Sequence, residues 1–585
     1  MGRDTKGMSI EQEKKLLQDA EAKGLYSCLA TYTKLSGPGW LQSAITLGGG
    51  SLASSLFLGV LAGYSLLWLQ PIAIILGIIM LCAISHVTLS TGQSPFVSIN
   101  NEINPVLAWG WAIATILANI VWCLPQFSLG TAAVTQNLFP ILDNTGGKVL
   151  VVLSILITAC IIIWAYDRGS KGVKLFDLIL KIMVALVVLS FFGVVISMGI
   201  AGDLPWNEIA AGFIPNFSLF YEPADVYSPF LEGTGEFRSF WENKIINLQK
   251  DVMIAAAATA VGINMTFFMP FVLLSRKWGR EHRGLAKFDL WTALLIPYVV
   301  ATSCVVIAAG TQFNGKPESA YEDYENRVLR SNLAKGYNEF ITERLELELG
   351  EEKFASLAPV QKKELSSTIP ESDKQIAAML VKRDARDLAE SLKSLTSNDT
   401  LSQVIFGIGV VGMALSTIII LMTINGHAIC EVLGKPHKGP VFLGGAYIAG
   451  IGVLGPFVWS DAAFWLAVPT SILGFTLIPV AYLSFFLLIN SKKVLGRERP
   501  KGLGRVIWNI GLILSLGIMG TAAFYVAWNK SWGDIQFGRI ALIVFGILLL
   551  IGHFGLQNKK LLKKTEAMDL KLQQFKKKLD SVKTN

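Results

Sequence analysis

Charge is scarce in this sequence: Asp, Glu, Lys and Arg make up only 16% of its 585 residues. An ordinary soluble domain carries roughly 25%. Cysteine is scarce too. There are six, and Cys28, Cys82, Cys123, Cys160, Cys304 and Cys430 show no CxxC or other ligand spacing. All but Cys28 fall in or at the end of apolar stretches, where a free thiol behaves as a small hydrophobe, which argues against a disulfide scaffold or a thiolate metal centre. No nucleophile–base pair and no metal-ligand cluster appears, so an enzyme is not expected, nor is a cofactor or a nucleic-acid partner. Residues 1–36 are polar and contain no signal-peptide core, so the first apolar stretch is expected to direct insertion itself.

What the sequence has in abundance is apolar length. Hydrophobic residues make up 52% of the chain. They run in blocks of about 20 or more, the length a helix needs to cross roughly 30 Å of hydrocarbon. Twelve spans are expected, at 38–62, 66–88, 105–138, 148–166, 174–200, 250–275, 288–310, 401–427, 439–459, 462–490, 504–528 and 537–557. The fold class is therefore an all-α polytopic membrane protein, multi-pass in the cell membrane. Orientation follows from the short loops. Arg168–Lys174, Arg276–Lys287, Lys435–Lys438 and Lys492–Arg505 fall on one side by alternation, with both termini, and the positive-inside rule makes that side cytoplasmic.

The remaining charge is clustered. Residues 311–400 carry about 30 of the 94 formal charges and are net acidic by about four; they read as a solvated helical insertion on the extracellular side, helical near Ile376–Leu395. Residues 202–249 read as a second extracellular loop. Residues 558–585 carry a net charge of about +6 over a heptad-like apolar seam, which suits a cytoplasmic amphipathic tail lying on anionic lipid.

Two spans look broken. Gly48-Gly49-Gly50-Ser51 lies near the middle of span one, and each glycine costs about 1 kcal/mol relative to alanine in a helix interior. Gly262 to Pro270 interrupts span six, where the proline removes a backbone hydrogen bond. Spans one and six are five apart, so the second unit enters the membrane in the opposite sense. That pattern is expected of an inverted-repeat secondary transporter with its site between two broken helices. The repeats would be residues 37–200 and 250–490, joined by 201–249, with two further spans in 491–557.

At these residues the sequence resembles the Nramp family of divalent metal transporters, which has the LeuT-type fold. Gly37-Pro38-Gly39-Trp40 through Trp68 to Ser90-Thr91-Gly92 aligns without gaps to its first two helices. Gly130-Thr131-Ala132, Met269-Pro270 and Ser491 to Gly496 match its third, sixth and tenth. The resemblance implies a 5+5 inverted repeat, a divalent metal ion as cargo, and Met269 and Thr266 as metal ligands, through the thioether and a backbone carbonyl. The family's metal-binding Asp-Pro-Gly-Asn, however, reads Gly48-Gly49-Gly50-Ser51 here, its sixth-helix histidine is Phe271, and its acidic third-helix positions are about Leu124 and Phe127. A glutamine of its tenth helix becomes about Ser471.

No carboxylate or histidine stands near the middle of any span. Asp177 and Lys181, spaced to pair, His86, Glu431 and His553 lie towards span ends, and Asp251 and Asp289 at span starts. Carbonyls, one hydroxyl and one thioether supply no countercharge for a dehydrated divalent cation. Backbone N–H groups of an unwound glycine segment suit an anion instead. Gly48, Gly49, Gly50, Ser51, Asn264, Thr266, Met269, Ser471 and Gln126 are the expected substrate-binding residues, with Asn119 as a further donor and Trp122 and Phe268 as apolar walls. The functional expectation is an Nramp-like secondary transporter, formally a metal ion transporter, with altered substrate or coupling. One alternative is a carrier of a small organic solute or anion; another is a non-transporting receptor or scaffold.

Overall fold

A computed structural model describes residues 9–168, 170–317, 331–392, 398–459, 462–531 and 535–558. The basic tail from 559 onward, residues 318–330 and 393–397 of the insertion, and the side chains of Asp177 and Lys181 lie outside the described residues. The described chain is built of helices, and ten of them are long and apolar enough to cross a membrane. They account for ten of the twelve expected spans. The other two are span one, which is split in two, and span five, within the helix Ser170–Ala201.

The split in span one is short. Its first half is Pro38–Thr46 and its second half Gly49–Ala62; only Leu47 and Gly48 leave the helix, Gly48 at φ −87° and ψ −179°. Span six divides in the same way into Arg238–Ala260 and Ile263–Ser275, with Val261 and Gly262 extended between them. The interruption thus falls at the first residue of the expected segment Gly262 to Pro270, while Pro270 itself sits inside a continuous helix. Each break leaves a helix C-terminus and a helix N-terminus facing each other at the middle of the bundle. Span eight (Asp399–Val432) packs along span three (Pro105–Ala132) and closes one side of that space.

One face carries the insertion and the other the N-terminal tail. The first half of span six begins at Arg238, twelve residues before the expected start at 250, because its polar first turns continue the helix beyond the apolar layer and bury Trp241 beneath the insertion. There the Trp241 indole donates to Asp373 at 2.8 Å, and Arg344 pairs with the same carboxylate at 3.1 Å. The helix expected near 376–395 is two pieces, Glu371–Leu380 and Ala385–Leu388. The polar N-terminal segment forms the helices Ile10–Lys23, opened by a Ser9–Gln12 capping box, and Leu25–Leu35. Spans eleven (Gly502–Trp528) and twelve (Phe537–Asn558) lie at the periphery with largely exposed apolar faces.

Candidate functional site

The two breaks meet around a cavity of about 50 Å³. That is room for a few waters or a small polar group. Gly48, Gly50 and Ser51 of span one line it, with Gln126 of span three, Asn264 and Met265 of span six, and Ser471 of span ten. Trp122, Pro125, Leu421, Ile45, Ala258 and Ala467 supply apolar wall, and Thr259, Gly262 and Thr417 complete the lining. No ionisable side chain is among the lining residues. Among the described residues, no group of three or more His, Cys, Asp or Glu is placed to hold a metal.

The glycines are required by space and not by backbone conformation. A β-carbon on Gly48 would collide with the Thr417 hydroxyl, and one on Gly49 would come within 2.5 Å of Gln126 Oε1. Thr417 in turn is fixed by donating to the Met413 carbonyl at 2.8 Å. Gly49 therefore stands behind the cavity, against Gln126, while Gly48 and Gly50 border it.

Much of the polarity at the helix C-termini is satisfied internally. The Ser51 hydroxyl donates to the carbonyls of Thr46 and, at 3.5 Å, of Thr259. Thr46 Oγ1 reaches the Ala260 carbonyl at 3.3 Å and Met265 Sδ at 3.5 Å. These are the carbonyls that a cation between the half-helices would use, and the protein's own hydroxyls already engage them. The opposite ends differ. The first two N–H groups of each second half, at Gly49 and Gly50 and at Ile263 and Asn264, have no partner within their helices and carry the positive end of each dipole, whereas the Met265 N–H is taken by Asn264 Oδ1 at 2.8 Å. Gln126 is 3% exposed, and its Oε1 has no hydrogen-bond partner.

Thr266 and Met269 lie outside the cavity, which corrects their expected placement. Thr266 accepts from the Trp111 indole at 3.0 Å, and Met269 Sδ accepts from Gln42 at 3.5 Å. The thioether that reaches the cavity is Met265, one turn before Met269. Asn119 is fully buried with neither amide atom paired, but it does not line the cavity. Phe268 packs against His427 instead of forming a wall, their rings 5.8 Å apart. Thr259, Thr417 and Met265 were not legible as site residues. Nothing in the sequence around Thr417 distinguishes it from the other hydroxyls of span eight.

Residues 39–330, about half of the chain, match the family model described as natural resistance-associated macrophage protein-like, Nramp. The chain belongs to the Nramp family. It is an integral, multi-pass membrane protein of a family of metal ion transporters, and not an enzyme. No curated protein matches the sequence. Among solved structures it is similar to the manganese transporter of Eremococcus coleocola in complex with an aromatic bis-isothiourea substituted compound. That similarity has 13% identity and a TM-score of 0.58, and covers 91% of this chain and 96% of that one. A mutant of the same transporter matches at 14% identity with a TM-score of 0.58, covering 90% and 96%. At such identity the similarity establishes the fold.

Proposed function

We propose that this Nramp protein is a secondary-active transporter working by alternating access around the cavity between its broken helices, and that its cargo is a small solute held through a carboxylate or comparable anionic group. The observation that carries this reading is the cavity's makeup: no ionisable side chain lines it, while two helix N-termini open onto it. A dehydrated divalent cation needs countercharge or a full set of oxygen ligands. A carboxylate needs N–H donors and a positive dipole end, which the segment from Gly48 to Ser51 offers. Asn264, Ser471 and Gln126 add side-chain hydrogen bonds to the same solute.

A second reading keeps a metal as cargo in partly hydrated form. It draws on the Met265 sulfur at the cavity and on the unpaired Gln126 Oε1, an acceptor able to hold a metal-bound water. In both readings the tail-bearing face is cytoplasmic, the insertion is extracellular, and residues 37–200 and 250–490 form the two inverted repeats.

The test is uptake into proteoliposomes of a radiolabelled panel of amino acids and short carboxylic acids. Saturable accumulation of one panel member, absent from protein-free vesicles and lost in Gly49→Ala, is the expected result. No accumulation of any member alongside saturable manganese influx would replace the first reading with the second.

A further inference from the structure

Residues 491–505 join spans ten and eleven on the face that carries the N-terminal tail. They hold six basic residues, Lys492, Lys493, Arg497, Arg499, Lys501 and Arg505, and one acidic residue, Glu498. That carboxylate is engaged by another loop: its Oε1 lies 3.2 Å from Arg280 and its Oε2 2.8 Å from Arg283. Among the described residues, no other carboxylate forms an ion pair with a cation of this segment.

Two of the six cations converge. Asn490, the last residue of the span-ten helix Ala467–Asn490, donates to Asn509 Oδ1 at 2.7 Å, which leaves its own Oδ1 to accept. Arg505 Nε donates to that oxygen at 3.1 Å, and Arg499 Nη1 donates to the Asn490 carbonyl at 3.4 Å. Both arginines are half-buried, and among the described residues each gives the protein only this one N–H. Arg505 keeps both terminal nitrogens, a fork that suits two oxygens of one phosphate. Because arginine stays protonated at any pH the protein meets, the charge of the pair is fixed. A β-carbon on Gly504, between the two, would meet nothing within 4 Å, so the backbone there is uncovered.

Beside the pair runs an apolar stripe. Leu503, Val506, Ile507 and Ile510 of span eleven are 51% to 75% exposed. The opposite side of this helix packs inward, where Leu512 is buried and Ser515 donates to the Leu76 carbonyl at 3.1 Å. The exposed side therefore faces acyl chains, and the arginines stand at the end of the helix, where headgroups begin. Arg280 and Arg283, on the same face, are neutralised by Glu498 and offer no such charge. Two uncompensated guanidiniums above a lipid-facing stripe complement one molecule that carries both a phosphate and acyl chains.

We propose that Arg499 and Arg505 bind the phosphate of an anionic phospholipid in the leaflet on this face, with its acyl chains along Leu503, Val506, Ile507 and Ile510. The test is photolabelling of the full chain in phosphatidylcholine nanodiscs. A phosphatidylglycerol with a diazirine in its acyl chain is added at low mole fraction, and the labelled peptides are mapped by mass spectrometry. The same diazirine on phosphatidylcholine is the reference, and the peripheral span-twelve peptide 537–558 is the internal control. Each basic residue near an anionic headgroup contributes about fivefold in binding, so the pair should favour phosphatidylglycerol on the order of twenty-five-fold at residues 502–511. Arg499→Gln and Arg505→Gln should each lower that ratio about fivefold, and the double variant should bring it close to the span-twelve value. Arg505→Lys, which keeps the charge and loses the fork, should fall between Arg505→Gln and the wild type. Lys435→Gln with Lys438→Gln, in another loop, should leave the ratio unchanged. Because each value is a ratio of two lipids on one protein, a general loss of folding does not imitate the effect. Equal labelling of 502–511 by both lipids, or a ratio retained in the double variant, would overturn the proposal. Loss of the preference on adding inorganic phosphate would assign the arginines to a free phosphate and overturn the lipid assignment.

Discussion

The hydroxyl of Thr417, on span eight, fills the space that a β-carbon on Gly48 would need. Two residues 369 positions apart thus decide together whether the broken segment of span one can carry a side chain. A carboxylate at position 48 is excluded by the neighbour as well as missing from the sequence.

Gly48→Asp alone should therefore misfold locally, at a cost of about 1–3 kcal/mol from overpacking, and should bind no manganese. The double variant Gly48→Asp with Thr417→Ala opens the space and adds the charge. Titration calorimetry with manganese should then give saturable heat for the double variant only. Equal binding by the single variant would mean that the Thr417 contact is yielding.

At the next position the obstacle is an amide. A β-carbon on Gly49 would meet Gln126 Oε1 at 2.5 Å and Leu129 Cδ1 at 2.9 Å. Gly49→Ala should lower thermal stability by about 1–3 kcal/mol and abolish solute uptake. Adding Gln126→Ala should restore part of the stability but none of the uptake, because the amide is placed to bind. Recovery of both would make Gln126 a packing residue only.

Asp289, on span seven, caps the first half of span one. Its carboxylate accepts from the Gly37 N–H at 3.0 Å, from the Gly39 N–H, and from the Ser36 hydroxyl. Anionic acceptors at a helix N-terminus satisfy orphan donors and oppose the dipole. Asp289→Ala should cost about 0.5–2 kcal/mol and speed hydrogen exchange at residues 37–46. Asp289→Asn, which keeps an acceptor, should fall between it and the wild type. Unchanged exchange in the alanine variant would remove the capping role.

The insertion is docked by Asp384. Gln136, at the end of span three, donates to it at 2.7 Å, and the Ala463 N–H, at the start of span ten, at 3.2 Å. Burial pushes this carboxyl above its ordinary range, against the hydrogen bonds from Gln136 and Ala385 that lower it. A raised carboxyl favours the protonated form in the docked state. Docking is then strongest below the ordinary carboxylate range and weakens as pH rises through the raised value. Exchange at residues 384–392 should accelerate over that interval in the wild type and lose the dependence in Asp384→Asn. A dependence retained in the variant would assign it to another group.

Apolar length made the spans legible, and glycine-rich stretches marked the breaks in spans one and six. The break in span six falls at Gly262, where the expected segment begins, and its far end was overestimated. Proline is the strongest local helix breaker, yet Pro270 is carried inside Ile263–Ser275, while Val261 and Gly262 take the extended conformation. Tertiary packing decided this: a β-carbon on Gly262 would lie 2.6 Å from both Asn264 Oδ1 and the Trp122 ring. The cavity thioether is Met265, one turn before the Met269 that the resemblance implied. Thr417 was hidden for a related reason, since a hydroxyl that bonds its own helix reads as any other span threonine until the facing helix is known.

The most direct test of the anionic-solute account is manganese influx into proteoliposomes loaded with a metal-quenched dye, compared with protein-free vesicles. The cavity without countercharge predicts no influx above the protein-free control. Saturable influx that outlasts a leak control would contradict it and require a metal to cross with its own water, past Met265 and Gln126.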